Sequence, residues 1–393
     1  MMISTALFLK VSILILIHNC YGFSSRSIGL RLNQMKLQKS NPIYSSMKPE
    51  LTKLIENESL TSEETEALWK EILTGADPVQ VGALLVLLRA KGETPKEVAG
   101  MVRAMKAACK PVNISGKLLD IVGTGGDGAD TINISTAAVI LAAACGCKVA
   151  KAGNRSASSK CGSADVLEQL GVKIELTPDE VAIGVEKCGV GFMYAPINHP
   201  SMKTVAPIRK SLGVRTAFNL LGPLTNAANA QHVVIGVFRE ELIDLIGNTL
   251  IELGNIEHGV VVHSCGLDEV SAIGPTTVYE IKNSSPDKTS KVYETKKYQF
   301  EPDSVNIPLC KVEDLKGGDA VENAQALRDV LSGGTHRNAK RDSVVLNAGF
   351  GVYVYGLVDN IPSGVKLARD VMESGKALET LDKWITTTQE VGN

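Results

Sequence analysis

The chain has 393 residues, with 41 Lys and Arg against 43 Asp and Glu, which gives a formal net charge of −2 at pH 7. Hydrophobic residues make up 44% and charged residues 21%, near the globular average, so a globally disordered chain is excluded. There is no excess of positive charge to attract a nucleic acid, and we expect no nucleic-acid partner.

The first 49 residues differ in charge from the rest. They contain six basic residues and no Asp or Glu, whereas the remainder carries 35 basic and 43 acidic residues, a net charge of −8. The apolar run at residues 6–17 is too short to span a membrane and is typical of a secretory signal. A Ser- and Arg-rich segment with the composition of a transit peptide follows it.

We therefore expect residues 1–49 to be a bipartite presequence, similar to those of algae with complex plastids. The mature protein would then lie in the plastid stroma without a membrane anchor. A disordered N-terminus behind an ordinary secretory signal is the alternative. Eight scattered cysteines without a C-x-x-C pair indicate reduced thiols, which suits such a compartment.

Residues 50–115 are predicted to form a small all-helical domain. Thr61 begins a capping box, Asp77-Pro78 provides an N-cap and a first-turn proline for a helix that ends at Gly92, and Thr94 begins a third helix. A helical segment near residues 197–222 is expected to join this domain to the rest of the chain.

Residues 116–393 are predicted to form a larger α/β domain. Short apolar runs at 118–122, 149–150, 172–176, 190–194, 233–238 and 259–263 alternate with helix-length segments. This alternation favours a mostly parallel sheet with helices on its faces. The polar segment 283–303 is expected to be a surface hairpin or loop, and 342–358 and 362–374 are expected to be closing helices.

A glycine-rich turn follows the first of these apolar runs and precedes an uncharged helix predicted over residues 134–145. Glycines there let backbone N–H groups surround an anion, and the positive end of the helix adds to the attraction. The turn matches neither the P-loop nor the Rossmann pattern, and an ordinary capped turn is the alternative. The candidate residues are Gly123, Gly126, Asp127, Asn133, Ser135 and Thr136.

A second polar loop follows the next predicted strand. Because carboxyl ends of parallel strands share one edge of a sheet, the two loops would meet and could bind a ligand with two phosphate groups. A solvated surface loop is the alternative. The candidate residues are Lys151, Asn154, Arg155, Ser156, Ser158, Ser159 and, at the next helix start, Ser163.

The third candidate is the adjacent pair Asp268 and Glu269, which follows the apolar run 259–263. Carboxylate oxygens are the ligands that Mg²⁺ takes when it holds a phosphate-bearing substrate. The pair therefore indicates a magnesium site, and a solvated acidic turn is the alternative.

Seven motifs, at 123–127, 133–136, 153–155, 162–168, 199–203, 215–225 and 266–269, together resemble the anthranilate phosphoribosyltransferase family. The match runs in order from about residue 50 to the C-terminus. The resemblance implies a small helical domain on a larger α/β domain, the fold shared with pyrimidine nucleoside phosphorylases. It also implies a homodimer joined through the helical domains, and a place in tryptophan biosynthesis.

The resemblance assigns roles to residues. Mg²⁺ would be held by Ser135, Asp268 and Glu269, and anthranilate by Gly123, Asn154 and Arg209. Lys151, Asn154 and Arg209 are expected to act in the reaction itself. The site for phosphoribosyl pyrophosphate would comprise Gly123, Gly126, Asp127, Thr131, Asn133, Ser135, Thr136, Lys151, Asn154, Arg155, Ser156, Ser158, Ser159 and Ser163.

The chain departs from the family pattern at two positions. Ala152 stands where the family usually has His, and Ala227 where it commonly has Pro. The first departure removes a side chain expected near the anthranilate carboxylate. A nucleoside phosphorylase of the same fold and a nucleic-acid-binding relative without activity are the rival functions. The intact acidic pair and the net charge of −8 argue against both.

Overall fold

The computed structural model describes residues 46–156, 159–285 and 291–392. The expected presequence up to residue 45, and Ser158, lie outside these ranges. Met47 is buried, and its N–H donates to Oε1 of Gln80 at 2.8 Å, so packed structure begins ahead of the predicted boundary at residue 50. No described helix is both long and apolar enough to cross a membrane.

The N-terminal part is a helical bundle. The hydroxyl groups of Thr61 and Thr94 accept the N–H groups of Glu64 and Glu97, so both predicted capping boxes are present. Asp77 caps the helix between them. The bundle consists of α1 (Lys48–Ile55), α2 (Ser62–Gly75), α3 (Pro78–Lys91) and α4 (Pro95–Ala107).

The second part is built on a seven-stranded sheet, in the order β3-β2-β1-β4-β5-β6-β7. The first five of these pair in parallel, and β6 and β7 add an antiparallel edge. Leu119 of β1 lies opposite Val149 of β2 on one side and His232 of β4 on the other. The strands are β1 (Leu119–Gly123), β2 (Val149–Gly153), β3 (Val190–Tyr194), β4 (His232–Gly236), β5 (His258–Ser264), β6 (Thr276–Asn283) and β7 (Tyr293–Phe300).

Helices cover both faces of this sheet. After the bundle they are α5 (Ile134–Ala144), α6 (Ser163–Leu170), α7 (Pro178–Cys188), α8 (Ala195–Asn198), α9 (Met202–Leu212), α10 (Phe218–Leu221), α11 (Leu242–Leu253), α12 (Ala320–Leu331), α13 (Ala339–Tyr355), α14 (Ile361–Glu373) and α15 (Lys376–Val391). Helices α8 to α10 occupy the predicted joining segment, and α9 packs against α2 and α3 of the bundle.

Alternate side chains of each strand enter different hydrophobic cores. Val260 and Val262 of β5 pack with α5 and α13, whereas Val261 belongs to a core shared with the bundle. Side chains of a strand point alternately to opposite faces, so one sheet separates the two cores. The predicted fold class, a helical domain with a larger α/β domain and a mostly parallel sheet, is confirmed.

The segment 172–176, predicted as a strand, forms none. Val172 and Ile174 are buried, but the N–H of Lys173 donates to the Thr388 hydroxyl at 3.1 Å. The backbone is therefore bound by α15 and not by a neighbouring strand. The polar segment 283–303 contains β7, which forms a hairpin with β6 at the sheet edge.

Candidate active site

Three loops meet at one edge of the sheet, where the parallel strands end. The Gly125 N–H donates to Oδ2 of Asp268 at 2.6 Å, which joins the loop after β1 to the turn after β5. The Ser135 N–H donates to Oε1 of Glu269 at 3.1 Å, and Nζ of Lys151 lies 3.3 Å from the Ser135 hydroxyl. The structure thus brings the three predicted clusters together.

The glycine loop, residues 123–128, needs glycine for its conformation. Gly125 and Gly126 have φ values of +72° and +81°, in the left-handed region that side chains disfavour. Asp127 accepts the Ala129 N–H at 3.0 Å and so closes the turn. Successive residues of this kind expose backbone N–H groups to an anion.

Two further glycines allow Asp268 to approach the strand ends. A side chain at Gly123 would collide with the carboxylate of Asp268, and one at Gly236 would collide with its main-chain carbonyl. The β1 and β4 ends therefore fit closely around this residue. Asp268 is 9% exposed, and its carboxylate is held in the middle of this edge of the sheet.

The start of α5 is fixed by amide contacts. The Asn133 side chain donates to the Cys161 carbonyl at 3.1 Å and accepts from Asn323 at 3.0 Å. Its amide therefore positions two loops and is already occupied. The Thr136 hydroxyl is buried without a partner among the described residues.

The far end of the glycine loop is held by residues that follow β7. Thr131 forms an isolated antiparallel bridge with Lys316. The Gly317 N–H donates to the Asp130 carbonyl at 2.8 Å. These contacts fix Thr131, one of the residues predicted to bind phosphoribosyl pyrophosphate, between the glycine loop and α5.

Lys151 is almost fully buried beside the acidic pair. Its Nζ donates to the Ile121 carbonyl at 2.7 Å and to the Ser135 hydroxyl. Burial lowers the pKa of the Lys151 ammonium group, and the nearby carboxylates of Asp120 and Glu269 oppose that shift. A buried cation is therefore held where the glycine loop, α5 and the acidic pair meet.

The acidic pair carries more negative charge than Lys151 beside it can balance. Burial raises the pKa values of Asp268 and Glu269, and the neighbouring carboxylates, including Asp127, raise them further. No three His, Cys, Asp or Glu side chains within the described ranges form a metal cluster on their own. Two hard-oxygen donors in need of a cation fit Mg²⁺, which keeps waters and takes phosphate oxygens as its other ligands.

Arg155 in the second loop is engaged by carboxylates of α6. Its guanidinium contacts Asp165 at 3.0 Å and Glu168 at 2.9 Å, and it donates to the Tyr194 hydroxyl at 3.2 Å. A donor phosphate would have to compete with these groups for the Arg155 side chain.

The same Asp165 closes the second loop. Its Oδ2 accepts the N–H groups of Ser156 at 3.0 Å and Gly162 at 2.9 Å. The hydroxyl groups of Ser156 and Ser159 lie 2.8 Å apart. These contacts join Ser156 to Ser159 and to the start of α6.

Asn154 begins this loop with an exposed side chain. Its Oδ1 accepts the Arg155 N–H at 2.8 Å, and its carbonyl accepts the Ala164 N–H at 3.1 Å. Ser163 is the first residue of α6. The remaining predicted residue, Ser158, lies outside the described part of the chain.

Arg209 lies on α9, on the side of the bundle. Its guanidinium carbon is 5.4 Å from the centre of the Phe218 ring, and burial lowers its pKa. Within the described ranges no carboxylate pairs with it, and its contacts do not include the glycine loop. The structure leaves this half-buried cation open to a ligand carboxylate.

A buried pair that the sequence patterns did not predict lies beneath the loops. The Asn226 amide donates to Oδ2 of Asp120 at 2.8 Å and to the Ala150 carbonyl at 2.9 Å. Burial raises the pKa of Asp120 to about 6, although Lys151 and Asn226 oppose the shift. An acid within the apolar run 118–122 was the signal that could have revealed it.

Arg215 was missed as a contact of the glycine loop. Its Nη2 donates to the Gly126 carbonyl, and its guanidinium carbon lies 4.1 Å from the centre of the Phe238 ring. The sequence has no local signal for this contact, because an isolated arginine after a helix is usually solvated.

Two family profiles match most of the described chain. The profile described as "Glycosyl transferase family, helical bundle domain" matches residues 48–109. The profile described as "Glycosyl transferase family, a/b domain" matches residues 115–378. The two matches fall on the bundle and on the sheet with its helices.

Curated relatives and solved structures are similar over nearly their full length. Anthranilate phosphoribosyltransferase of Methanosarcina acetivorans is 47% identical over 88% of this chain and 90% of its own length. The enzyme of Chlamydia felis is 41% identical, with coverages of 87% and 96%.

Two crystal structures superpose on the chain. That of anthranilate phosphoribosyltransferase from Thermus thermophilus has a TM-score of 0.79 and 42% identity, covering 86% of this chain and 99% of its own. The Saccharomyces cerevisiae enzyme, in complex with phosphoribosyl pyrophosphate and Mg, has a TM-score of 0.78 and 27% identity, with coverages of 86% and 97%. The chain belongs to the anthranilate phosphoribosyltransferase family.

Proposed function

We propose that this enzyme transfers the phosphoribosyl group from phosphoribosyl pyrophosphate to anthranilate. The products are N-(5-phosphoribosyl)anthranilate and pyrophosphate, in the second step of tryptophan biosynthesis from chorismate. One observation carries the proposal: hydrogen bonds join the glycine loop, Lys151 and the Asp268–Glu269 pair at one sheet edge. The family membership of the chain identifies the two substrates.

The glycine loop and Lys151 serve the donor. Breaking the bond between ribose C1 and pyrophosphate develops negative charge on the leaving group. Lys151 has three N–H donors, of which its described contacts use two, so one remains for a pyrophosphate oxygen. Backbone N–H groups of the loop add fixed donors that need no reorganisation when charge develops.

The acidic pair and the Ser135 hydroxyl are the residues that would hold Mg²⁺. Their fit rests on hard-oxygen donors whose negative charge Lys151 balances only in part. When bound, the ion would neutralise charge on the pyrophosphate. Glu269 also accepts the Ser135 N–H, so the metal site and the start of α5 share one geometry.

Anthranilate needs orientation more than activation. Its aromatic amine is already neutral at pH 7, so its nitrogen lone pair can form the bond to C1 as the pyrophosphate leaves. The extra proton on nitrogen then passes to water, and no general base is required. We assign Arg209 to the anthranilate carboxylate and the exposed Asn154 amide to a supporting hydrogen bond.

Ala152 leaves the acceptor side with fewer polar contacts than the family pattern provides. It lies on β2, partly buried against the core shared with the bundle. Because Lys151 and Asn154 on either side are intact, the change affects affinity for anthranilate more than the type of reaction. Arg209 then carries more of the carboxylate recognition.

One assay separates the proposed function from its rivals. The protein, truncated to begin at Met47, is mixed with anthranilate, phosphoribosyl pyrophosphate and Mg²⁺, and anthranilate fluorescence is followed. Loss of fluorescence that requires all three components is expected. Stable fluorescence with a folded protein would reject the transferase, and release of a free base from nucleosides and phosphate would indicate the phosphorylase.

We further infer a homodimer joined through the bundle. Apolar side chains on the bundle surface support it: Ile55 is 70% exposed, Val79 79% and Val86 45%. Sedimentation should give twice the chain mass, and Val79→Glu combined with Val86→Glu should shift the protein toward monomer. An unchanged monomer in both cases would reject the interface.

The plastid location and the domain limits also remain our proposals. The lack of acids in residues 1–49 supports a presequence, which fused to a fluorescent protein should direct it to a complex plastid. Secretion of the fusion would favour the simple signal. We place the helical domain at 50–115, extended forward to include Met47, joined through 197–222 to the α/β domain at 116–393.

A further inference from the structure

Arg215 connects two parts of the site that bind different substrates. It lies between α9, which carries Arg209, and α10. Its guanidinium donates to the Gly126 carbonyl of the glycine loop. A side chain at Gly126 would collide with this guanidinium, so the two residues fit closely.

The glycine loop depends on such contacts for a single conformation. Glycines lose more conformational freedom on ordering than other residues, so a loop with several of them must be held from outside. Asp268 holds it at the Gly125 N–H, and Arg215 holds it at the Gly126 carbonyl. The first contact comes from the acidic pair, and the second comes from the chain that follows α9.

Arg215 is itself positioned by Phe238, which is tied to the same loop. The guanidinium carbon lies 4.1 Å from the centre of the ring, a distance typical of a cation–π contact. The Phe238 N–H donates to the Thr124 hydroxyl at 3.2 Å. Arg215 therefore contacts the loop at Gly126 and reaches Thr124 through Phe238.

The other end of the connection is α9. This helix ends at Leu212, and Gly213, with φ of +63°, turns the chain toward Arg215. Only Gly213 and Val214 separate the end of α9 from Arg215, so a ligand bound at Arg209 acts close to Arg215 along the chain. Arg215 and Phe238 line a cavity of about 590 Å³, so there is open space beside the Arg215 side chain.

We propose that Arg215 is a positioning residue that couples anthranilate binding at α9 to the donor-binding conformation of the glycine loop. Each substrate then binds more tightly when the other is present, because the two share the cost of ordering the loop. The inference rests on the proposed transferase activity and adds a coupling that the two separate binding sites do not require.

Initial rates with both substrates varied test this coupling. For the wild type, the dissociation constant of anthranilate without donor should exceed its KM at saturating donor by at least about fivefold. Arg215→Gln should reduce that ratio to about 1 because the contact with the loop is lost. Arg215→Lys, which keeps a cation within reach of Gly126, should restore part of it.

The matched control is Arg239→Gln. Arg239 lies 5.5 Å from the same Phe238 ring, and no described contact joins it to the loop, so the ratio should stay as in the wild type. Thermal unfolding of each variant separates coupling from stability.

Three results would overturn the inference: a wild-type ratio near 1, an unchanged ratio in Arg215→Gln, or an equal loss in Arg239→Gln. If Arg215→Gln does not fold, the double variant Arg215→Lys with Phe238→Leu replaces it. A wild-type ratio of dissociation constant to KM in that double variant would also overturn the inference. Wild-type protein that does not consume anthranilate would instead reject the proposed function.

Discussion

Two carboxylate clusters on the same sheet have opposite electrostatics. Glu280 on β6 accepts hydrogen bonds from His258 at 2.7 Å, Tyr353 at 2.6 Å and Tyr298 at 3.0 Å. These donors lower its pKa to about 2, although burial acts against them. Asp268 and Glu269 have raised pKa values because burial, and repulsion from Asp127 and Asp268 respectively, outweigh the few donors they accept.

The difference distinguishes a structural charge from a charge kept for a ligand. Glu280 has all the donors it needs within the fold, so its ionised form stabilises the folded state. The acidic pair at the strand ends costs stability until a cation arrives. Glu280 and the acidic pair are both buried. The number of hydrogen-bond donors around each carboxylate decides whether it stabilises the fold or is left for a ligand.

The largest expected effect comes from neutralising the acidic pair. Asp268→Asn combined with Glu269→Gln should lower kcat at ordinary Mg²⁺ at least about a hundredfold, since a metal stabilises developing charge by several kcal/mol. The unfolding temperature should stay the same or rise, because two repelling charges are removed. Steady-state rates and calorimetry measure the two quantities.

The adjacent acids Glu240 and Glu241, exposed after β4, provide the matched control. Converting both to Gln should leave kcat within about twofold, as expected for surface substitutions. A drop of less than tenfold in the Asp268 and Glu269 variant would contradict the metal assignment.

Glu280→Gln should show the reverse pattern. The folded-state pKa of about 2 lies below the ordinary value of 4.5, so the stabilisation is present above pH 4.5 and is lost as the pH falls toward 2. At pH 7 the variant should lose on the order of 3 kcal/mol of unfolding free energy. Its kcat at 25 °C should be unchanged.

Urea unfolding at several pH values between 7 and 3 checks this prediction. The wild type should lose stability on acidification more steeply than the variant, which lacks the titrating group. Parallel curves for the two proteins would mean that Glu280 is not the structural charge described above.

Arg209 extends the comparison to a cation without a carboxylate partner in the described structure. Arg209→Ala should raise the KM for anthranilate about ten- to a hundredfold, the value of a hydrogen bond to a charged group. The KM for the ribosyl donor should change little. Lys210→Ala, an exposed cation one residue further, is the control and should affect neither.

A larger effect of Arg209→Ala on the donor than on anthranilate would contradict this division of the site. Initial-rate kinetics with each substrate varied in turn distinguish the two outcomes.

The smallest effect is expected at Ala152. Ala152→His restores the side chain that the family pattern has and should be tolerated, because the position is only partly buried. The KM for anthranilate should fall by a few-fold at most, and that of the donor should stay nearly constant. An unfolded variant, or a raised KM for the ribosyl donor, would show that β2 has repacked around alanine.

Local sequence patterns predicted the parts of the fold that depend on local chemistry. Capping boxes at Thr61 and Thr94 and the apolar runs of β1 to β5 each carry their own signal, and the glycine loop does so through its unusual composition. The elements that were not predicted individually are α1, α7, α11, α12, α15 and β6. The strand predicted at 172–176 was wrong: the apolar run resembles a strand, but α15 binds its backbone.

The site was predictable where one loop contains its own donors, and not where partners come from distant parts of the chain. Asn226 reaches Asp120 across the fold, and Arg215 reaches Gly126. Neither polar residue is unusual in its own neighbourhood. Only the packing of strands and joining helices identifies what each one contacts.

The order of the strands determines when the chain can fold. β1 forms its full ladder with β4, whose residues follow it by more than a hundred positions, and only one residue pair joins it to β2. Closing so long a loop costs entropy before any contact repays it, so the sheet should form slowly. Until β4 has been synthesised and has paired, β1 remains an unpaired apolar edge that other chains can bind. A fragment that ends before residue 232 should therefore aggregate, however well its bundle folds.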